Sequence, residues 1–305
     1  MFGGSDQDQG YTNGIHAMVV SPNLADYLDD PCLPKSIKTI NKHLTWLQSS
    51  DPEVLNMTFG IGQAIFTPED KNQADLVKND RPYAGALMAS VGYNAVRGRH
   101  LSSSQLRVGV VGPAALGGAV QNEWHRMTGH KRFRGWRHQL RNEPVVQLIH
   151  ERRIRWEGPR RSGWGWDVIG HAGASVGNFA TYANAGLEWR VGYRLPQDFG
   201  TIGLRPATES YAPAKSPPSA DNGWAGHLFV AVDGRWVMHD ITLDGNTFRS
   251  SHSVSKRPFV ADIGYGLAVT HGKWKFAIGR YHRTREFRGQ QESPVYGSFT
   301  VSRRF

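Results

Sequence analysis

Two histidines, His125 and His130, stand in the polar, basic stretch "VQNEWHRMTGHKRFRGW" (120–136). An imidazole working near neutral pH can take a proton from water and return it to a leaving group, which is hydrolytic chemistry. As metal ligands the two are poorly spaced, because residues five apart do not share a helix face as residues four apart do. Cys32 is the only cysteine and no H-E-x-x-H motif occurs, which argues against zinc. The segment "GASVG" (173–177) matches G-x-S-x-G, yet a nucleophile elbow needs a strand, a sharp turn and then a helix. Its surroundings, "WDVIGHAGASVGNFATYANAG", read as strand, turn, strand, so Ser175 is taken as a small residue on a sheet wall. "DQDQG" (6–10) offers Asp6 and Asp8 as oxygen ligands for a hard cation, but an EF-hand loop would need Glu where Ala17 stands.

What must hold these groups in place is mostly strand. In 53–67, Leu55, Met57, Phe59, Ile61 and Ile65 fall on one face, and Asn56, Thr58, Gly60, Gly62 and Ala64 on the other. In 82–96, Tyr83, Gly85, Leu87, Ala89, Val91 and Tyr93 alternate with small or polar residues. A period of two is the strand signature, and the small, polar face suits a wet barrel lumen. Similar runs near 11–20, 104–112, 144–157, 164–177, 182–194, 224–244, 258–271, 273–286 and 294–305 make eleven expected strands. Several reach ten residues, longer than most globular strands and enough for a tilted membrane strand of about 9–11 residues. Tyr83, Tyr93, Trp156, Trp164, Trp189 and Trp274 lie near strand ends, like an interfacial aromatic girdle. No apolar run of 18 or more residues occurs, so no membrane helix is expected, and a membrane barrel stays open.

The sequence therefore predicts an all-β fold: one antiparallel transmembrane β-barrel over 1–305, with short helices in its outer loops. The helical insertion 113–143 carries His125. Single-chain bacterial barrels have even strand counts. Eleven implies either a turn at Asp233-Gly234 inside 224–244, or a strand and signal peptide upstream of Met1. The connections 21–52, with the weakly helical "KSIKTINKHLTWLQ", and 113–143 are long and are expected to face outward. The Pro/Ser-rich stretch 205–223 reads as one more loop.

The net charge of +10 calls for an anionic partner. No RNP, zinc-finger or helix-turn-helix pattern is present, so nucleic acid is set aside, leaving acidic lipid or a phosphorylated glycolipid. A soluble β-sandwich binding anionic glycans is the non-membrane rival.

Taken together, "YTNG" (11–14), "IGQAIFTPED" (61–70), "NDRPYAG" (79–85), "VQNEWHR" (120–126), "GWRHQLRNEP" (135–144), "DGNTF" (244–248), "TREFRGQ" (284–290) and the terminal Phe305 resemble the lipid A deacylase family of outer-membrane proteins. The terminal aromatic on "VYGSFTVSRRF" looks like the signal such barrels present to their assembly machinery. The resemblance implies a twelve-stranded barrel, its first strand lying upstream here, in the Gram-negative outer membrane. It implies hydrolysis of the 3'-linked acyloxyacyl chain of lipid A in lipopolysaccharide, with calcium as cofactor. It places the catalytic pair at His125 and Thr12, and glycolipid contacts at Lys71, Lys78, Arg81 and Arg126. Asp6 or Asp8 is at best a partial substitute for the Asn-Asp pair of the family's first strand, and Lys131 stands where the family has an acid. The alternative is a non-catalytic barrel, a pore or a lipopolysaccharide-binding relative without activity.

Overall fold

The computed structural model describes residues 10–49, 52–129, 131–201 and 223–303. Eleven strands form one sheet in which each pairs antiparallel with the next in sequence. They are β1 (Gly10–Val20), β2 (Val54–Thr67), β3 (Ala84–Arg97), β4 (His100–Val111), β5 (Glu143–Glu157), β6 (Trp164–Gly177), β7 (Ala180–Tyr193), β8 (Trp224–Asp240), β9 (Phe259–His271), β10 (Trp274–Arg283) and β11 (Val295–Arg303). Asp233 and Gly234 form no turn: β8 runs through them, pairing Asp233 with Gly186 and with Asp262. β1 and β11 are the sheet edges, and the rings of Tyr11 and Tyr296 meet across them at 5.9 Å. The sheet is a nearly closed barrel of the expected all-β, antiparallel kind.

Alternation sorts the two faces. Outward positions such as Ile15, Val19, Ile61, Val108, Leu187, Val230 and Leu267 are 42–66% exposed, as side chains in a membrane would be. Many inward positions are polar and buried, beside an apolar inward cluster that includes Ala64, Phe66, Met88, Val111 and Val145. Arg190, fully buried, donates to Asp167 at 2.7 and 2.8 Å and pairs with Asp198, while Arg155 also donates to Asp167 at 2.7 Å. Arg283 holds Asp262 at 2.7 Å and Glu286 at 3.1 Å. The lumen is thus packed with compensated charge, where the sequence suggested water.

Both long connections fold back onto the outward face of β2 and β3, at opposite ends of the barrel. Strands in an up-and-down sheet reverse at every turn, so the β1–β2 connection cannot lie at the same end as the β4–β5 connection. Only one of the two can face outward, against the expectation for both. In the first, α1 (Lys35–His43) is pinned by Asn41, which donates to the Tyr27 carbonyl and accepts from the Tyr93 hydroxyl at 2.7 Å. Leu24, Leu33 and Leu47 there cover Leu55, Met57 and Tyr93 of the wall. Tyr83 and Tyr93, at 3% and 2% exposure, lie beneath these covers and are no part of a girdle, whereas Trp156, Trp164, Trp189 and Trp274 are 40–60% exposed. The stretch 205–222 and Phe305 lie outside the described residues.

Candidate active site

The β4–β5 connection forms a lid on the outside of the wall. Within it, α2 spans Gly117–Thr128. It lies against β3 because two glycines face each other: a Cβ on Gly117 would meet the Gly85 Cα at 2.8 Å. The Gln63 side chain of β2 donates to the Ala115 carbonyl at 2.6 Å, the Gly112 amide to the Gly85 carbonyl at 2.9 Å, and the Leu140 amide to the Tyr83 carbonyl at 2.9 Å. Between these anchors Ile65, Tyr83, Phe133 and Trp136 form an apolar cluster that Val120 of α2 packs against. Ile65 shares the outward face with exposed Ile61, so this cluster lies on the membrane side of the wall and not in the lumen.

The end of α2 sets the histidine. Gly129, in the left-handed conformation at φ 72°, caps the helix by donating its N–H to the His125 carbonyl. The reversed chain then brings the Lys131 carbonyl to 2.5 Å from His125 Nδ1. A carbonyl only accepts, so Nδ1 carries the proton and Nε2 is the basic nitrogen of the neutral ring. The imidazole is 4% exposed and packs against the Phe133 ring at 5.6 Å.

Gln121 lies one turn before His125, on the same helix face. It is fully buried, and its Oε1 accepts from the Trp136 indole at 2.9 Å. An indole only donates, so the amide Nε2 is turned away from it; that nitrogen has no hydrogen-bond partner among the described residues. A dry, oriented donor beside a base is what a developing oxyanion needs. The helical i, i+4 spacing of Gln121 and His125 was visible in the sequence; what marks Gln121 is its orphaned amide, which only packing creates.

Thr12 is the extra residue of a β-bulge, where Tyr11 pairs with Phe66 but Asn13 with Ile65. Bulges re-aim side chains, and Thr12 Oγ1 lies 2.6 Å from Thr67 Oγ1. Thr67 shares the outward face with Ile65, so Thr12 is turned to the side that α2 covers. Lys71, a few residues on, places Nζ 5.7 Å over the Phe133 ring that also packs on His125. His125, Lys71 and Thr12 therefore gather at one end of the wall. Lys78 is exposed on the connection after β2.

Two expected glycolipid contacts sit elsewhere. Arg81 is 1% exposed; it donates to Glu286 at 2.9 Å and Thr242 at 2.7 Å, and lies 5.0 Å over the Phe66 ring. A guanidinium taken from water must be paired, and this pairing ties two of the resemblance motifs together rather than meeting a ligand. Arg126 points away from His125 and pairs with Glu123 on the exposed helix face. Asp8 and His130 lie outside the described residues, and no group of three or more metal-ligating side chains occurs among the described residues. Ser175 is fully buried, donating to the Ala180 carbonyl at 2.9 Å and accepting from Gln147 at 2.8 Å, as its strand–turn–strand setting implied.

Comparison with known proteins agrees with this architecture. No curated protein matches the chain in sequence. Among solved structures, LpxR from Salmonella typhimurium superposes with a TM-score of 0.78 at 18% identity, over 98% of this chain and 90% of that one, which shows a shared fold. The family model described as Outer membrane protein LpxR matches residues 1–305. With the site on the membrane side of a barrel and the model spanning its length, the chain belongs to the LpxR family of outer-membrane proteins, the lipid A deacylases.

Proposed function

We propose that the chain hydrolyses the 3'-linked acyloxyacyl ester of lipid A, with His125 as general base. The observation that carries this is the bond from His125 Nδ1–H to the Lys131 carbonyl, which makes Nε2 the base on the membrane side of the wall. An acyl chain of a lipid in the surrounding leaflet reaches α2 without entering the lumen. Nε2 takes a proton from water as its oxygen bonds to the ester carbonyl carbon. The Gln121 amide donates to the resulting oxyanion. When the tetrahedral species collapses, the C–O bond to the sugar breaks and the imidazolium returns its proton to the departing alkoxide. A free fatty acid and a sugar hydroxyl result. Lys71 and the exposed Lys131, Arg132 and Arg134 supply positive charge for the glycolipid phosphates. In this reading the α2 end faces the cell exterior and the barrel is folded by the outer-membrane assembly machinery.

Calcium is a cofactor by resemblance only. No group of three or more metal-ligating side chains occurs among the described residues, and Lys131 stands where the family has an acid, so no step is derived through it. Lys131 in place of an acid favours one second reading, a member that binds lipopolysaccharide without cleaving it. The buried ion network in the lumen argues against an open pore. Mass spectrometry of lipid A from cells expressing the protein separates these readings. Loss of the 3'-linked chain with wild type but not with His125→Ala, both as heat-modifiable barrels, is expected. Intact lipid A with wild type would leave the binding-only reading.

A further inference from the structure

We propose that the barrel carries a second, non-catalytic site on its outer wall, which binds a phosphorylated, acylated glycolipid of the lipid A type. A depression of 930 Å³ runs across β7, β8 and β9 at the α2 end. Its floor is a row of small residues, since Ala185 pairs with Gly234 and Gly234 with Ala261. Each lies two residues along its strand from exposed Leu187, Val232 or Ile263 and shares their face, so the row faces the membrane. Trp236 and Phe259, paired with one another and 51% and 71% exposed, stand beside it. An acyl chain laid in this trough rests on the row of small residues beside the Trp236 and Phe259 rings.

The head end of the trough is cationic. Arg257 and Arg285 line the same depression, both exposed, and neither forms an ion pair among the described residues. The buried carboxylates beneath the depression are already committed, Glu286 to Arg81 and Arg283 and Asp262 to Arg283 and Arg235, while the exposed Glu292 beside Ser293 forms no ion pair among the described residues. The two connections that carry the cations are held together, with the Arg257 amide donating to the Glu286 carbonyl at 2.7 Å. Two guanidiniums above an apolar trough match an anionic head on an acyl tail, and guanidinium suits phosphate oxygens. The occupant follows from the end of the barrel involved, which in our reading meets the leaflet that contains lipid A. The site is separate from the His125 site, because β4, β5 and β6 lie between them one way round the barrel and β10, β11 and β1 the other. It rests on that orientation and not on the hydrolytic step.

The test uses refolded, full-length His125→Ala protein in detergent, so that turnover removes no ligand, titrated with bisphosphorylated lipid A and followed by native mass spectrometry. Two lipid A molecules per barrel are expected. Adding Arg257→Ala and Arg285→Ala should weaken one of the two by about tenfold or more, and dephosphorylated lipid A should lose the same one. Gly234→Leu should also remove it by filling the trough, since a Cβ there meets nothing nearer than 3.8 Å and the wall should fold normally. A single lipid unaffected by these changes would overturn the site. So would an arginine double variant, in the otherwise wild-type protein, that slows lipid A deacylation, for the groove would then belong to the reaction. Absent deacylation by wild type with the second lipid still bound would sink the hydrolytic reading alone.

Discussion

In the proposed reaction His125 and Gln121 divide the work of ester hydrolysis between a nitrogen that accepts and a nitrogen that donates. Their partners set both roles: the Lys131 carbonyl fixes the histidine tautomer at 2.5 Å, and the Trp136 indole fixes the amide at 2.9 Å. Losing one oxyanion donor typically costs about 10²–10³ in rate. Gln121→Ala should therefore slow release of the 3'-linked chain by about that factor with little change in substrate affinity, measured as kcat and KM on purified lipid A. Ser175→Ala should cost about 1 kcal/mol of stability from its lost hydrogen bonds. Its rate should stay within a few-fold of wild type, and a collapse in rate would restore Ser175 as a nucleophile.

At the scale of elements, the proposed reaction depends on how closely α2 lies on β3. Gly117 and Gly85 permit that approach, and no side chain at Gly117 can be fitted without moving one backbone from the other. Gly117→Leu should leave the barrel folded and heat-modifiable but lift the helix. Activity should fall by at least tenfold, and limited proteolysis should cut within 112–142 faster than in wild type. The bulge at Thr12 belongs to the same scale: one extra residue in β1 turns that hydroxyl toward Thr67 and the covered side of the wall. The motif "YTNG" thus encodes a backbone irregularity as much as a side chain.

For the whole molecule, the ion network makes the lumen a packed interior. Arg190 bridges Asp167 on β6 and Asp198 on the β7–β8 connection. Removing one partner of a buried pair costs about 3–5 kcal/mol. Arg190→Met should lower the temperature at which the folded band converts on a gel, with the hydrolytic rate at low temperature little changed. The wild-type protein should give no stepwise ion conductance in planar bilayers, whereas a pore would. In the proposed reaction, the position of His125 and Gln121 outside this plug lets the protein act on a lipid in the membrane plane.

Alternation and local spacing determined much by themselves. Eleven strands were legible because a side-chain period of two is a property of each segment, and their boundaries fall within a few residues of 53–67, 144–157 or 258–271. His125 was distinguished from His130 by its motif. What the tertiary structure alone decided is which face each long connection covers. Alternation says that Ile61 and Ile65 share a face, but not that one meets lipid while α2 buries the other. It cannot say that Arg81, read as a glycolipid contact, is held by Glu286, 205 residues away. Nor can it place 21–52 and 113–143 at opposite ends of the barrel. Those outcomes depend on pairings between distant segments, and a guanidinium or an amide acquires its role only when such a partner arrives.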